Sequence, residues 1–469
     1  MAGTLGLVFS PRNRELLGLI PSALLVMAGF TAIFIQSEQS TPRASTSLTL
    51  NHASSVSLSY GLLFLAICLA AHLVIRFSLP DADPYLFPLV CVLASIGIVM
   101  VYRIDPVLAR QQAQWMVLGV ALFAVTILAL RRSGLGVLER YRYTIAAGGI
   151  GMTLLPRLPG IGEQVNGAYL AIHVGSVSFQ PAEFAKVAIV IFLASYLRDN
   201  RQVLVTAGRR FLGLTIPPMK QFGPMLIVWG AAMGTLLITR ELGTSLMFYG
   251  AFLALLYVAT GRFSFPLIGL VAFALGVWLV VGHVSHVEAR VQAWEEPFNR
   301  VLYERQVGGS YQLAQSLFSQ ADGGLLGTGF DRSLLAQTVE VSPHHFARAS
   351  ILPVPESDMI YAVIVNELGL VGGAGLLVVY LLLVARGMKT AILARDSFSK
   401  LLATGLSFII ALQVFVIVGG VTRVIPLTGV TLPFVAYGGS SVVMNFVLVA
   451  LLLIVSDRAR RPYRPARRS

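Results

Sequence analysis

Apolar stretches bounded by charges, proline or glycine recur along the whole chain, at about 16–36, 59–78, 84–102, 114–131, 143–156, 183–198, 222–239, 242–260, 263–283, 358–385, 399–420 and 435–456. Most approach the roughly 20 residues that a helix needs to cross a bilayer. The pattern predicts an all-α polytopic membrane protein of about twelve transmembrane helices. The segments 143–156 and 183–198 are short for a perpendicular span. One connection is much longer than the others, at 284–357. Connections of this length inside a compact protein are usually functional. Its apolar-aromatic pieces, Val291–Phe298 and Tyr311–Phe318, suit helices lying in a membrane interface; a disordered tether is the alternative.

Composition agrees with the spans. The chain is 56% hydrophobic and only 12% charged, with mean hydropathy +0.77. A soluble domain keeps about a quarter of its residues charged, and a charge at mid-bilayer costs several kcal/mol. The net charge of +13 would suit nucleic acid, but its placement argues otherwise. Arg12, Arg14, Arg131, Arg132, Arg386, Lys389 and the arginine-rich tail from Arg458 all fall on one side of the alternating spans. The short loops of the other side hold only Arg43, Arg103, Arg110, Arg157, Arg240 and Arg423. Such asymmetry marks the cytoplasmic side and predicts both termini there, in a multi-pass cell-membrane protein that binds no nucleic acid. Arg12 and Arg14 before an apolar run imitate a signal peptide, but the run is long enough to span and reads as a retained helix. Cys68 and Cys91, both in apolar runs, build neither a disulfide framework nor a metal motif.

Ionisable residues in or beside the spans are the functional candidates. Glu183 and Lys186 in Gln180-Pro181-Ala182-Glu183-Phe184-Ala185-Lys186 share one helix face. They read either as an internal ion pair at a proline-started helix or as a lysine held for phosphate. Asp358 lies where the long loop becomes a span, as an N-cap or as a functional carboxylate. Glu367 is nine residues on, roughly 13 Å deeper and on the opposite helix face, so it reads as a structural carboxylate packed on a neighbouring helix. Arg290 is a basic residue of the long loop. The stretch from Val421 to Ser441 is broken by proline and glycine and rich in hydroxyls; backbone of this kind survives at membrane depth only when buried in protein or lining a cavity.

These segments resemble the SEDS peptidoglycan glycosyltransferases of the RodA/FtsW/SpoVE type. The carriers are Pro426-Leu427-Thr428-Gly429, Leu432-Pro433-Phe434 and Tyr437-Gly438-Gly439-Ser440-Ser441, together with Gln180 to Lys186 and Asp358 with Glu367-Leu368-Gly369. Gln312, Gln315 and the glycines 323, 324, 327 and 329 match the loop before them. The match runs from about 84 to 456, leaving two extra N-terminal helices in 1–83, as in actinobacterial RodA-like proteins, and a basic tail at 457–469. The resemblance implies polymerisation of lipid II on the outer leaflet, during elongation and shape maintenance, with Asp358 as general base. It implies undecaprenyl-pyrophosphate-linked glycan as donor, a class B penicillin-binding protein as partner, and a divalent cation, Mg²⁺ or Mn²⁺, near Glu356 and Asp358. Glu183, Lys186, Arg290, Gln312, Gln315, Arg423, Ser440 and Ser441 would bind substrate or pyrophosphate. Gln180, Pro181, Glu241, Glu367, Pro426, Gly429, Pro433, Gly438 and Gly439 would be structural. The alternatives are a lipid-linked precursor transporter (flippase) and a non-catalytic cell-wall scaffold. The chain departs from the family pattern at Tyr169-Leu170-Ala171, at Glu241 in place of Asp, at Glu356-Ser357 before the catalytic position, and in the longer stretch from Asp331 to Leu352, which holds His344-His345.

Overall fold

The computed structural model describes residues 10–461, apart from 41–45, 159, 161, 166–167, 175–176, 207–208, 212–213, 217–218, 240, 282–284, 306–307, 331, 334–335 and 343–344. Arg43, Arg240, Asn166-Gly167, His344 and the arginines beyond Arg461 therefore lie outside the described residues.

Helices occupy all twelve apolar segments. They run as α1 (Pro11–Gly18), α2 (Ile20–Ser40), α3 (Thr46–Ser78), α4 (Leu86–Ile104), α5 (Pro106–Ser133), α6 (Gly136–Arg140) and α7 (Arg142–Leu154). Beyond a three-stranded antiparallel sheet, β1 (Gly162–Val165), β2 (Ala168–Val174) and β3 (Val177–Phe179), comes α8 (Pro181–Thr206). A hairpin, β4 (Arg209–Phe211) and β5 (Leu214–Ile216), leads to α9 (Met219–Thr239), α10 (Leu242–Thr260) and α11 (Ser264–Val281). The long loop holds α12 (Ser285–Glu295), α13 (Arg300–Glu304), α14 (Tyr311–Gly323) and the hairpin β6 (Ala336–Ser342) and β7 (His345–Ser350). The chain closes with α15 (Ile360–Leu393), α16 (Ser397–Val421) and α17 (Gly439–Arg460).

Among the described residues eight helices have the length and hydropathy to cross a membrane, and those at 223–239 and 264–278 are apolar but shorter. The segment at 143–156 forms a helix of only 13 residues, whereas that at 183–198 belongs to one of 26. The sheets are a difference from the all-helical expectation. They are short antiparallel pairings confined to connections, where chain leaving one helix must satisfy its own backbone groups. The loop 284–357 is largely structured: its two predicted apolar-aromatic pieces fall on α12 and α14, and β6–β7 occupies the divergent stretch.

The centre of the molecule is α8, α16 and α17, surrounded by α4, α5, α10 and α15. The 18-residue core of α17 is 89% buried by protein, that of α15 only 28%, so α15 lies at the periphery. Close approaches depend on glycine. A Cβ on Gly97 would stand 2.4 Å from the Phe434 carbonyl oxygen, which lets α4 lie directly against the backbone of the loop before α17. The N-terminal helices pack on α4 and α5, and both cysteines are buried free thiols.

Candidate active site

The site is built where the long loop meets α15. Residues 351–359 form successive turns rather than helix, and the N-cap position of α15 is Met359, without a side-chain cap bond. Asp358 is therefore not the cap, and its half-buried carboxylate is left for other work. It accepts a hydrogen bond from the Ser357 hydroxyl at 3.4 Å. Burial pushes its pKa up to about 6, opposed by the Ser357 hydrogen bond and the Arg290 cation and reinforced by Glu356. Desolvation disfavours a charged carboxylate and a nearby cation favours it.

The segment 422–438 wraps this carboxylate. A Cβ on Gly429, whose φ is +68°, would stand 3.5 Å from Asp358 Oδ2, so the backbone of this turn faces the carboxylate. The Arg290 Nη1 donates to the Leu427 carbonyl at 2.8 Å, tying α12 to the same turn. Burial lowers the pKa of Arg290 and Asp358 opposes the shift. The Tyr437 amide donates to the Glu356 carbonyl at 2.8 Å, joining the far end of the loop to the Asp358 turn. Pro433 accepts a hydrogen bond from the Tyr380 hydroxyl, and Gly439 lies flat on Trp115, whose ring a Cβ would penetrate. Three non-glycine residues among those described have left-handed φ: Val354 (49°), Arg423 (63°) and Phe434 (64°). All three belong to these two loops. Backbone held in sparsely populated conformations gathers at functional sites because the surroundings over-determine it.

Behind the loop stands a polar network inside the bundle. Lys186 is 0% exposed; it pairs with Glu183 one turn before it. Its ammonium also donates to Gln413 Oε1 at 3.1 Å and Asn445 Oδ1 at 3.2 Å. Two of its donors thus go to side-chain amides, and the Glu183 carboxylate stands against it as an ion pair. Gln413 in turn donates to the Thr431 carbonyl at 2.7 Å, so the network holds the loop from below. Lys186 and Glu183, expected to bind pyrophosphate, are placed against each other and the bundle in this structure. Ser440 and Ser441 are likewise buried. Ser440 accepts from the Gln180 backbone amide at 2.8 Å and Ser441 from Asn445 at 3.2 Å, so both brace the start of α17. Pro181 is the first residue of α8. Glu241, in the break between α9 and α10, is hydrogen-bonded to Thr244 and Gln180, and burial raises its pKa to about 8. Gly243 beside it approaches Val430 and Thr428.

Several other residues fall away from Asp358. Arg423 Nε and Nη2 donate to the carbonyls of Trp294 and Glu295 at 2.9 and 2.8 Å, while Trp294 Nε1 returns a bond to the Arg423 carbonyl at 3.1 Å. That guanidinium straps α12 to the end of α16 instead of meeting substrate. Gln315 donates to the Tyr303 hydroxyl at 2.7 Å, bridging α14 and α13, and Gln312 is half-buried on the same helix. Glu367 pairs with Arg103 of α4 at 2.7 Å and accepts from Ser333 at 2.6 Å. Helix α15 does break, at Gly369 (φ 69°, ψ −176°), but beyond Glu367. Pro426 begins the turn that carries Leu427 and Gly429, and the Gly438 amide donates to Gln112 Oε1 at 3.3 Å. Sequence reading missed Gln413, Asn445 and Gln112; the first two are lone amides inside apolar helices, a signal of internal pairing, whereas Gln112 stands beside Gln111 and Gln114. No three His, Cys, Asp or Glu side chains gather as a metal site among the described residues; Glu356 and Asp358 are two nearby carboxylates.

Residues 83–461 match the family of cell cycle proteins that comprises FtsW, RodA and SpoVE. The peptidoglycan glycosyltransferase RodA of Mycobacterium tuberculosis is 38% identical over 464 residues, covering 97% of this chain and 92% of that protein. The protein of the same name from Mycobacterium leprae is 40% identical over 416 residues, covering 86% and 84%. Among solved structures, a chain of a peptidoglycan synthase complex superposes with a TM-score of 0.62 at 24% identity, over 81% of this chain and 99% of its own. That likeness establishes a common fold of multi-pass membrane helices.

Proposed function

We propose that this chain, which belongs to the FtsW/RodA/SpoVE family of cell cycle proteins, is a peptidoglycan glycosyltransferase that polymerises lipid II with Asp358 as general base. The observation that carries the reading is the Asp358 carboxylate, free of a capping role, with its pKa raised to about 6 at the junction of two strained loops. A base is most effective when its pKa lies near the working pH. Asp358 takes the proton of the acceptor sugar's 4-hydroxyl as that oxygen attacks the anomeric carbon of the growing strand. The bond from that carbon to the pyrophosphate oxygen breaks, undecaprenyl pyrophosphate leaves, and the new linkage is inverted to β. Arg290, held by Leu427 near Asp358, is the cation of the described site available to the leaving anion. Preorganised charge of this kind is often the largest catalytic term.

The finer assignments are part of the same proposal. In this reading the tail lies in the cytoplasm and Asp358 at the outer face, supported by the basic residues of the termini, and the chain acts in elongation. The partner is a transpeptidase of the class B penicillin-binding type, a reading supported by the fold shared with a chain of a peptidoglycan synthase complex. A divalent cation fits the pair Glu356 and Asp358, since Mg²⁺ is commonly held by one or two carboxylates together with substrate phosphates; it would supply charge against the leaving pyrophosphate.

The test is polymerisation of purified lipid II by the full chain in detergent with its partner. Asp358→Asn is expected to lower the rate by about 10²–10⁴-fold while leaving thermal unfolding unchanged. Polymer formation at the wild-type rate would remove Asp358 from the mechanism. Movement of labelled lipid II between leaflets without polymer would favour the transporter.

A further inference from the structure

At the opposite end of the bundle from Asp358, the chain near both ends and the loop 81–85 form an open cleft of about 510 Å³ whose walls carry Arg14, Asp81, Tyr85, Arg386, Lys389 and Arg460. The volume falls within the usual range for a small-molecule site. Four cations, Arg14, Arg386, Lys389 and Arg460, line it with one carboxylate, Asp81, while Asp83 and Asp457 stand behind the wall.

The frame of this cavity is fixed. Asp83 is fully buried; its carboxylate pairs with Arg386 at 3.2 Å and with Arg460. Its amide donates to Ser456 at 3.0 Å, and the Asp81 amide donates to Asp457 at 2.9 Å. The Arg386 guanidinium lies 4.3 Å from the centre of the Tyr85 ring. Two anchored arginines thus present positive charge without moving, while Arg14 and Lys389 are exposed at the rim. Arg386 Nε is buried without a hydrogen-bond partner among the described residues, while Nη2 is held by Asp83.

We propose that this cavity binds a phosphate-bearing anion. Arginine forks match phosphate oxygens in geometry as well as charge. Basic pockets between transmembrane helices take lipid headgroups, and here the exposed Tyr85 and Leu393 at the rim give an acyl chain an apolar path. Soluble phosphates share the headgroup chemistry, and the experiment separates the two sources. The site stands on its own geometry and does not depend on the glycosyltransferase reading.

The full chain is purified in neutral detergent and titrated with phosphatidylglycerol, with phosphatidylcholine as control, and separately with inorganic phosphate. Bound lipid is counted by native mass spectrometry, and phosphate binding is read from thermal unfolding. One phosphatidylglycerol is expected to bind in preference to phosphatidylcholine. The double variant Arg14→Ala, Lys389→Ala should bind it roughly thirtyfold more weakly with an unchanged unfolding midpoint in the absence of lipid. Stabilisation by inorganic phosphate alone, lost in the same variant, would uphold the site and assign it to a soluble ligand. Lys389→Ala by itself serves if the double variant does not fold. Equal affinity of wild type and variant for both probes, or binding of neither, overturns the proposal. Lipid II polymerisation is measured in parallel, so that loss of this site and loss of the base are separately visible.

Discussion

The carboxyl of Asp358 is pulled in opposite directions by its neighbours, and each pull can be removed singly. Glu356 raises its pKa and Arg290 lowers it. A base works only when deprotonated, so polymerisation should rise with pH through about 6. Glu356→Gln should move that limb to lower pH and Arg290→Gln to higher pH, read from initial rates across the pH range. Shifts in the reverse directions, or none, would detach the limb from Asp358. Lys186 makes a different prediction. Replacing it by Met leaves the Glu183 carboxylate buried without its cation, a loss of about 3–5 kcal/mol in thermal unfolding. Adding Glu183→Gln should recover part of it, since the two residues act as one unit; an additive double variant would contradict the pairing. The position of Asp358 was legible in the sequence because a carboxylate at the junction of a long loop and a span is conspicuous in so apolar a chain. The amide partners of Lys186 were not. Gln413 and Asn445 are 227 and 259 residues away, and nothing local to Glu183 and Lys186 announces them.

At the scale of elements, α15 depends on a segment that precedes it by some forty residues. The turn after α14 lies along the break at Gly369. Thr328 and Gly329 amides donate to the carbonyls of Asn366 and Glu367 at 2.8 and 3.2 Å, and those of Leu370 and Val371 donate to Gly324 and Leu325 at 2.9 and 3.2 Å. These bonds replace the ones that the break removes from the helix. A Cβ on Gly369 would stand 2.2 Å from the Leu325 carbonyl oxygen and one on Gly327 2.1 Å from that of Glu367. Gly369→Ala should therefore cost on the order of 1–3 kcal/mol in backbone strain alone, visible in thermal unfolding, and should depress polymerisation by displacing the Asp358 turn. An alanine variant as stable and active as wild type would show that the break is dispensable. Periodicity reveals a helix from Ile360 onward, but a single glycine in Glu367-Leu368-Gly369 does not disclose a backbone partner so far upstream. The short strands escaped for a different reason: β2, Ala168–Val174, lies between the turn signals Asn166-Gly167 and Gly175-Ser176, but apolar runs of membrane length do not register strands this short.

For the whole molecule, the pattern of apolar segments was sufficient to place helices because each must satisfy its backbone internally in lipid. The number that span is less legible, as the 13-residue α7 and the shorter apolar helices at 223–239 and 264–278 illustrate. The matched family region begins at residue 83, yet the helices before it are packed tightly: a Cβ on Gly29 would stand 2.5 Å from Val99 of α4. Deletion of residues 1–80 should lower the unfolding midpoint in detergent while retaining Asp358-dependent polymerisation. Loss of polymerisation at an unchanged midpoint would instead put those helices in the reaction. The burial of Cys68 and Cys91 carries a practical consequence. A membrane-impermeant maleimide applied to intact cells finds no native thiol of this chain within reach, so a cysteine introduced at Glu304 or Arg461 reports its own side of the membrane against a silent background.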